Sequence, residues 1–190
     1  MAGQLRRERL RREMIDEIIG TARLLLEKDG PSAISVRAIA RQVGVTAPAI
    51  YRYFPSLDAL MSALNESVLS ELSATVESAR YQSGGMALAF RGWAFDHPAS
   101  FRFVLGLNGH RAAGQTLTGR LLRLSAPGES TLCWATLCGL VLLELAGDRE
   151  DLPDDIGQLY EAVAAKLGEL PSRRTSLLTQ MNQASGVSGN

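Results

Sequence analysis

Residues 35 to 57 read SVRAIARQVGVTAPAIYRYFPSL, and this stretch decides the fold. Val36, Ile39, Ala40 and Val43 recur at helical spacing. Ser35 stands just before them as an N-cap, its hydroxyl facing a free backbone N–H. Gly44 follows Val43, where a helix can stop with positive φ. Val45 plugs the turn, and Thr46 is expected to cap a second short helix. Pro48 falls in the first turn of that helix, where no N–H partner is needed. Ile50 and Phe54 lie four apart and face inward. Two short helices joined by a tight glycine turn form a helix-turn-helix, whose second helix enters the DNA major groove N-terminus first. The competing reading is an ordinary helical hairpin with buried aromatics.

Arg37-Ala38-Ile39-Ala40, Gly44-Val45-Thr46 and Ile50-Tyr51-Arg52-Tyr53-Phe54-Pro55-Ser56 together resemble the DNA-binding domain of the TetR family of transcriptional regulators. The resemblance runs from about residue 10 to residue 64. It implies a regulator that binds a palindromic double-stranded operator as a homodimer and is released by a small-molecule effector. It assigns DNA contacts to Ser35, Arg37, Thr46, Ala47, Pro48, Ala49, Tyr51, Arg52 and Tyr53. Tyr51 matches a phosphate-binding phenol of the family, and Tyr53 is expected to act likewise. One position departs from the pattern: Leu57 stands where the family usually has a phosphate-contacting Lys.

The charge distribution fits this reading. The 190 residues carry no net charge, yet residues 1–55 hold ten basic and six acidic side chains, a net of +4. The remainder holds ten basic and fourteen acidic, a net of −4. Positive charge thus gathers where phosphate would be met. Arg6, Arg7, Arg9, Arg11 and Arg12 form a basic arm suited to the DNA backbone or a minor groove. A hydrophobic content of 46% with 21% charged residues is that of a soluble globular chain. No run of 18 apolar residues predicts a membrane span, and no apolar signal core predicts export. Cys133 and Cys138 lie about 140° apart on one helix and are read as reduced thiols. The expected location is therefore cytoplasmic.

The expected fold is all-α, with about nine helices. Residues 1–55 make a three-helix DNA-binding domain, 56–170 a helical ligand-binding and dimerisation domain, and 171–190 a partly disordered tail. Residues 1 to about 8 are expected to be mobile, with a first helix from about Arg9 to Lys28. Asp29-Gly30-Pro31 stops it. A fourth helix, capped by Ser56, is predicted to reach about Gln82. At about 25 residues it spans roughly 38 Å, too long for the small first domain alone. Further helices are expected at Met86–Asp96, from Pro98 to about Leu107, at Arg111–Ser125, at Glu129–Ala146 and at Asp154–Gly168. A helical turn is expected around Leu177–Met181. Glu129–Ala146 is apolar almost all round, so it needs a partner on each side. With Asp154–Gly168 it is predicted to form a homodimer contact.

In the second domain Phe90, Trp93, His97, Phe101, Trp134 and Cys138 are the candidate effector-binding residues, since apolar walls with few polar groups suit a ligand pocket. An ordinary aromatic core explains the same residues. Trp134 with Cys138-Gly139 resembles a TetR subgroup that carries Trp and then His-Gly on its penultimate helix, Cys138 standing at the His position. Glu144, between Leu143 and Leu145, needs a partner or a raised pKa. It can face a ligand, a second subunit or water. No cofactor or metal is expected: His97 and His110 sit in no metal-type spacing and no nucleophile elbow is present. The alternatives are a ligand-independent DNA-binding protein and a helical enzyme using Cys138; the chain is read as no enzyme.

Overall fold

The computed structural model describes residues 1–81, 85–107, 129–147 and 156–169. Among these there are eight α-helices, one 3-10 turn and no strand. The helices are α1 (Ala2–Asp29), α2 (Val36–Val43), α3 (Ala47–Tyr51), α4 (Leu57–Ser78), α5 (Gly85–Asp96), α6 (Pro98–Val104), α7 (Glu129–Ala146) and α8 (Ile156–Glu169). The all-α expectation holds. The predicted helix at Arg111–Ser125 and the turn around Leu177–Met181 lie outside the described residues.

Two compact units emerge. The described part of the first is residues 1–70 and 97–107; that of the second is 71–81, 85–96, 129–147 and 156–169. In the first, α1, α2, α3 and the first part of α4 share one core. Ile18, Ala22 and Leu26 of α1, Ile39 of α2, Ile50 of α3, and Leu60 and Leu64 of α4 are fully buried in it. Fully burying one such side chain contributes roughly 1.5–3 kcal/mol. Here α6 packs on α1, and the Glu27 carboxylate accepts the Ser100 N–H at 3.1 Å, satisfying a free donor in the first turn of α6.

Helix α1 begins at Ala2 rather than near Arg9. The reason is local. Arg, Glu and Leu are good helix formers, Arg9 pairs with Glu13 across one turn at 3.4 Å, and Arg7 donates back to the Gly3 carbonyl. At its other end Gly30 takes φ 79° and donates to the Leu26 carbonyl, and Pro31–Ala33 turns the chain into α2. Ser56 caps α4 as expected, its hydroxyl accepting from Ala59 N at 3.1 Å. That helix stops at Ser78, four residues before the predicted end. The Ala79 and Arg80 N–H groups bond three residues back, and Arg80 is held bidentately by Glu77. Such tightening replaces the α-helical ladder.

The second unit is built on α5, α7 and α8. Phe90 and Trp134 pack with ring centroids 5.5 Å apart at 60°, the tilted geometry that aromatic quadrupoles favour. The Trp93 indole N–H is satisfied by Glu71 at 2.9 Å. Leu137 and Val141 complete the buried side of α7, while Leu132 and Leu143 stand exposed on it.

Candidate functional site

The helix-turn-helix is assembled as its residues dictate. The Ser35 backbone is extended, and its hydroxyl accepts the Ala38 N–H at 3.1 Å. Gly44 adopts the left-handed conformation, φ 78° and ψ 26°. Its own N–H and that of Val45 both reach the Ala40 carbonyl, the latter at 2.9 Å, which closes α2 in a Schellman-type turn. Thr46 occupies the N-cap position of α3, and its carbonyl accepts from Ala49 N at 2.9 Å. Its hydroxyl makes no capping bond, contrary to the expectation, and the side chain points to solvent. Pro48 sits in the first turn, as the missing N–H allows.

Ile50 and Phe54 are buried, so the remainder of α3 faces outward. Arg37, Thr46, Pro48, Tyr51 and Arg52 are exposed; Ala47 and Ala49 are half-buried. Ser35 is half-buried and spends its hydroxyl on the cap. Tyr53 is half-buried, and the Arg11 guanidinium lies over its ring, 5.5 Å from the centroid. This contact joins the basic arm to the end of the helix-turn-helix. The sequence signals the arm but not its pairing with Tyr53. Leu57 opens α4 with an exposed apolar side chain.

The six residues expected around an effector are divided between the two units. Phe90, Trp93 and Trp134 form the core of the second unit, and Cys138 is half-buried beside them on α7. Burial pushes the Cys138 thiol up to about 11. His97 and Phe101 belong to the first unit, His97 at the N-cap of α6 and Phe101 fully buried inside it.

A cavity of about 240 Å³ lies between α5, α7 and α8. Leu88, Ile156, Gly157 and Ala164 form its apolar side; Arg91, Glu144, Tyr160 and Glu161 form its polar side. Glu144 is only 8% exposed, and its pairing answers the question its sequence position raises. Arg91 donates to it from Nε at 2.8 Å and from Nη2 at 2.7 Å, and the Tyr160 hydroxyl donates at 2.7 Å. Hydrogen bonding to Glu144 raises the Arg91 pKa against the opposing effect of burial. Burial, and then the Glu144 hydrogen bond, raises that of Tyr160. Phe95 and Tyr160 flank the guanidinium at 4.6 and 5.5 Å. Neither Arg91 nor Tyr160 is marked by any local sequence signal. Hollows along Met1–Asp16 are walled by α1 alone and open to solvent. Among the described residues no cluster of His, Cys, Asp or Glu is arranged to hold a metal, and no helix is long and apolar enough to cross a membrane.

Comparison with known proteins agrees with this architecture. The sequence model of the tetR family of bacterial regulatory proteins matches residues 18–64, and that of the tetracyclin repressor-like C-terminal domain matches residues 84–167. The chain is 35% identical over 105 residues to the HTH-type transcriptional regulator Rv1816 of Mycobacterium tuberculosis, a match covering 50% of the chain and 45% of the relative. It thus spans about half the length of that curated relative. It is 27% identical to the HTH-type transcriptional regulator Rv0681 of the same organism, over 85% of the chain and 83% of the relative. The solved structure of the multidrug binding protein EbrR complexed with imidazole superposes with a TM-score of 0.65 at 21% identity, covering 84% of this chain and 90% of that one. With family models matching both its helix-turn-helix and its C-terminal helices, the chain belongs to the TetR family of bacterial regulatory proteins.

Proposed function

We propose that this chain is a transcriptional repressor that binds a palindromic operator as a homodimer in the cytoplasm and is released by a small, mainly apolar effector. The observation that carries the DNA reading is the exposed N-terminus of α3. Thr46 and Pro48 face solvent there with Ala47 and Ala49 beside them, flanked by Arg37, Tyr51 and Arg52. Small side chains let the helix approach base edges closely, and the cations and phenol reach the backbone and guanine edges. Ser35 acts by capping α2. Tyr53 joins the set through its hydroxyl. With few hydrogen-bonding side chains on α3, sequence preference rests on Arg37, Thr46 and DNA shape.

The homodimer contact is assigned to α7 and α8. Leu132 and Leu143 on α7 and Leu159 on α8 are large apolar side chains open to solvent in the single chain. A stable contact there buries more than about 1,200 Å² in total. The effector site is assigned to the cavity at Leu88, Arg91 and Tyr160, with Phe90, Trp93, Trp134 and Cys138 packed on the same helices. Release requires the effector to bind the DNA-incompetent state more tightly. Catalysis by Cys138 is disfavoured, because a thiol pushed to about 11 is hardly ionised at neutral pH. The test is selection of bound sequences from random double-stranded DNA, followed by a small-molecule release screen on the selected site. Enrichment of an inverted repeat supports the reading; recovery of unenriched DNA overturns it.

A further inference from the structure

We propose that the α5–α7–α8 cavity recognises a neutral, mainly apolar molecule through a carbonyl oxygen held by Arg91. The proposal rests on the reading of the chain as an effector-released regulator and names the chemistry of that effector. The argument begins with donors and acceptors. A guanidinium carries five N–H donors and no acceptor. Glu144 takes one at Nε and one at Nη2. The guanidinium also lies over the rings of Phe95 and Tyr160. Tyr160 also lies within its hydrogen-bonding reach, so the five donors outnumber these two neighbours, and a third of the side chain remains accessible. The Tyr160 proton is committed to Glu144. The polar side of the cavity therefore offers donors at Arg91 and asks for an acceptor.

Charge then narrows the acceptor. Arg91 and Glu144 cancel as a pair, and Glu161 leaves the lining, among the described residues, at a net of −1. A carboxylate ligand would place a second anion beside Glu144 and meet Glu161 as well. An amine at Glu144 would have to displace Arg91 from a bidentate pair that is also bonded to Tyr160, and at Glu161, which is exposed, water screens the attraction. A neutral amide, ester or ketone meets neither obstacle. Leu88, Ile156 and Ala164 supply the wall for its apolar body. The 240 Å³ volume corresponds to about eight waters of liquid, hence a ligand of roughly ten non-hydrogen atoms.

The test uses the full chain and three probes of matched size: 4-ethylbenzamide, 4-ethylbenzoate and 4-ethylbenzylamine. Binding is measured by calorimetry without DNA. The amide is expected to bind at least tenfold more tightly than either charged probe. Ala164→Phe, which fills the cavity and leaves the Arg91–Glu144 pair intact, is expected to abolish amide binding while keeping the helical circular-dichroism spectrum. Should Ala164→Phe fail to fold, Leu88→Trp makes the same test from the opposite wall. Tightest binding of the acid or the amine, no binding of any probe, or amide binding untouched by both filling variants overturns the proposal. The operator experiment stays separate. An enriched repeat released by compounds that ignore the cavity leaves the regulator reading standing and sinks this one. Amide binding in a chain that selects no DNA does the reverse.

Discussion

The Arg11 guanidinium lies 5.5 Å from the centre of the Tyr53 ring, so the N-terminal helix and the end of the helix-turn-helix present a cation and a phenol side by side. A cation over an aromatic face is worth about 0.5–1 kcal/mol at an exposed site, enough to orient a ring without locking it. If both groups meet the DNA backbone, Arg11→Ala should lower the slope of log affinity against log salt by about 0.9 per subunit, about 1.8 for the proposed dimer. Arg11→Lys should retain the slope. Filter binding or fluorescence anisotropy across a series of potassium chloride concentrations measures it, and an unchanged slope in Arg11→Ala places Arg11 off the DNA.

Phosphate contacts and base contacts are separable by their dependence on sequence. Tyr51→Phe is expected to weaken binding by a similar factor on every site, because the lost hydrogen bond goes to the backbone. Arg37→Ala is expected to relax base preference as well as affinity, each lost guanine contact removing about 1–3 kcal/mol of discrimination. Competition on the selected operator and its point variants distinguishes the two patterns. Parent-like binding by both variants would reject this assignment.

The turn makes its own prediction on stability. Ser35→Ala removes the bond to Ala38 N and should cost about 1 kcal/mol. Gly44→Ala meets open space, but its φ of +78° strains any Cβ, at a cost of roughly 1–2 kcal/mol. Urea denaturation gives both values; a neutral Gly44→Ala would mean the turn relaxes.

On the proposed dimer, Leu143→Arg or Leu132→Arg should yield a monomer at micromolar concentration in sedimentation, with the fold intact, since both side chains are exposed in the single chain. Leu140→Arg or Val141→Arg should instead damage the second unit, where both are buried. A parent that sediments as a monomer removes the dimer itself.

Stability should fall in alkali. The Cys138 thiol is raised by burial from 9.0 to about 11, and Tyr160 is raised by burial and by Glu144. Each group is bound neutral in the folded chain and ionises more readily in the unfolded one. The stabilisation is complete below the unfolded value and is lost as pH rises toward the folded one. For Cys138 that window runs from about 9 to about 11. Cys138→Ala should flatten the decline of the urea midpoint across this window; an identical decline would assign it elsewhere. At neutral pH the same thiol should react slowly with disulfide reagents until the chain unfolds.

Local chemistry made the helix-turn-helix legible. The Ser35 cap, the Gly44 turn, Pro48 in the first turn and the inward pair Ile50 and Phe54 each depend on neighbours within a few residues, so the sequence by itself determined them. It determined the existence of α5, α7 and α8 by periodicity, and it marked Glu144 as needing a partner. Only the tertiary structure decided which one: Arg91 stands 53 residues away, and Tyr160 comes from another helix again. Apolarity almost all round α7 leaves its rotation undetermined, which is why Trp134 and Leu143 could not be assigned to core and surface beforehand. Packing set that rotation. It sent Phe90, Trp93 and Trp134 into the core, where rings fill volume, and left the cavity to the ion pair whose polar groups could not be buried without one another.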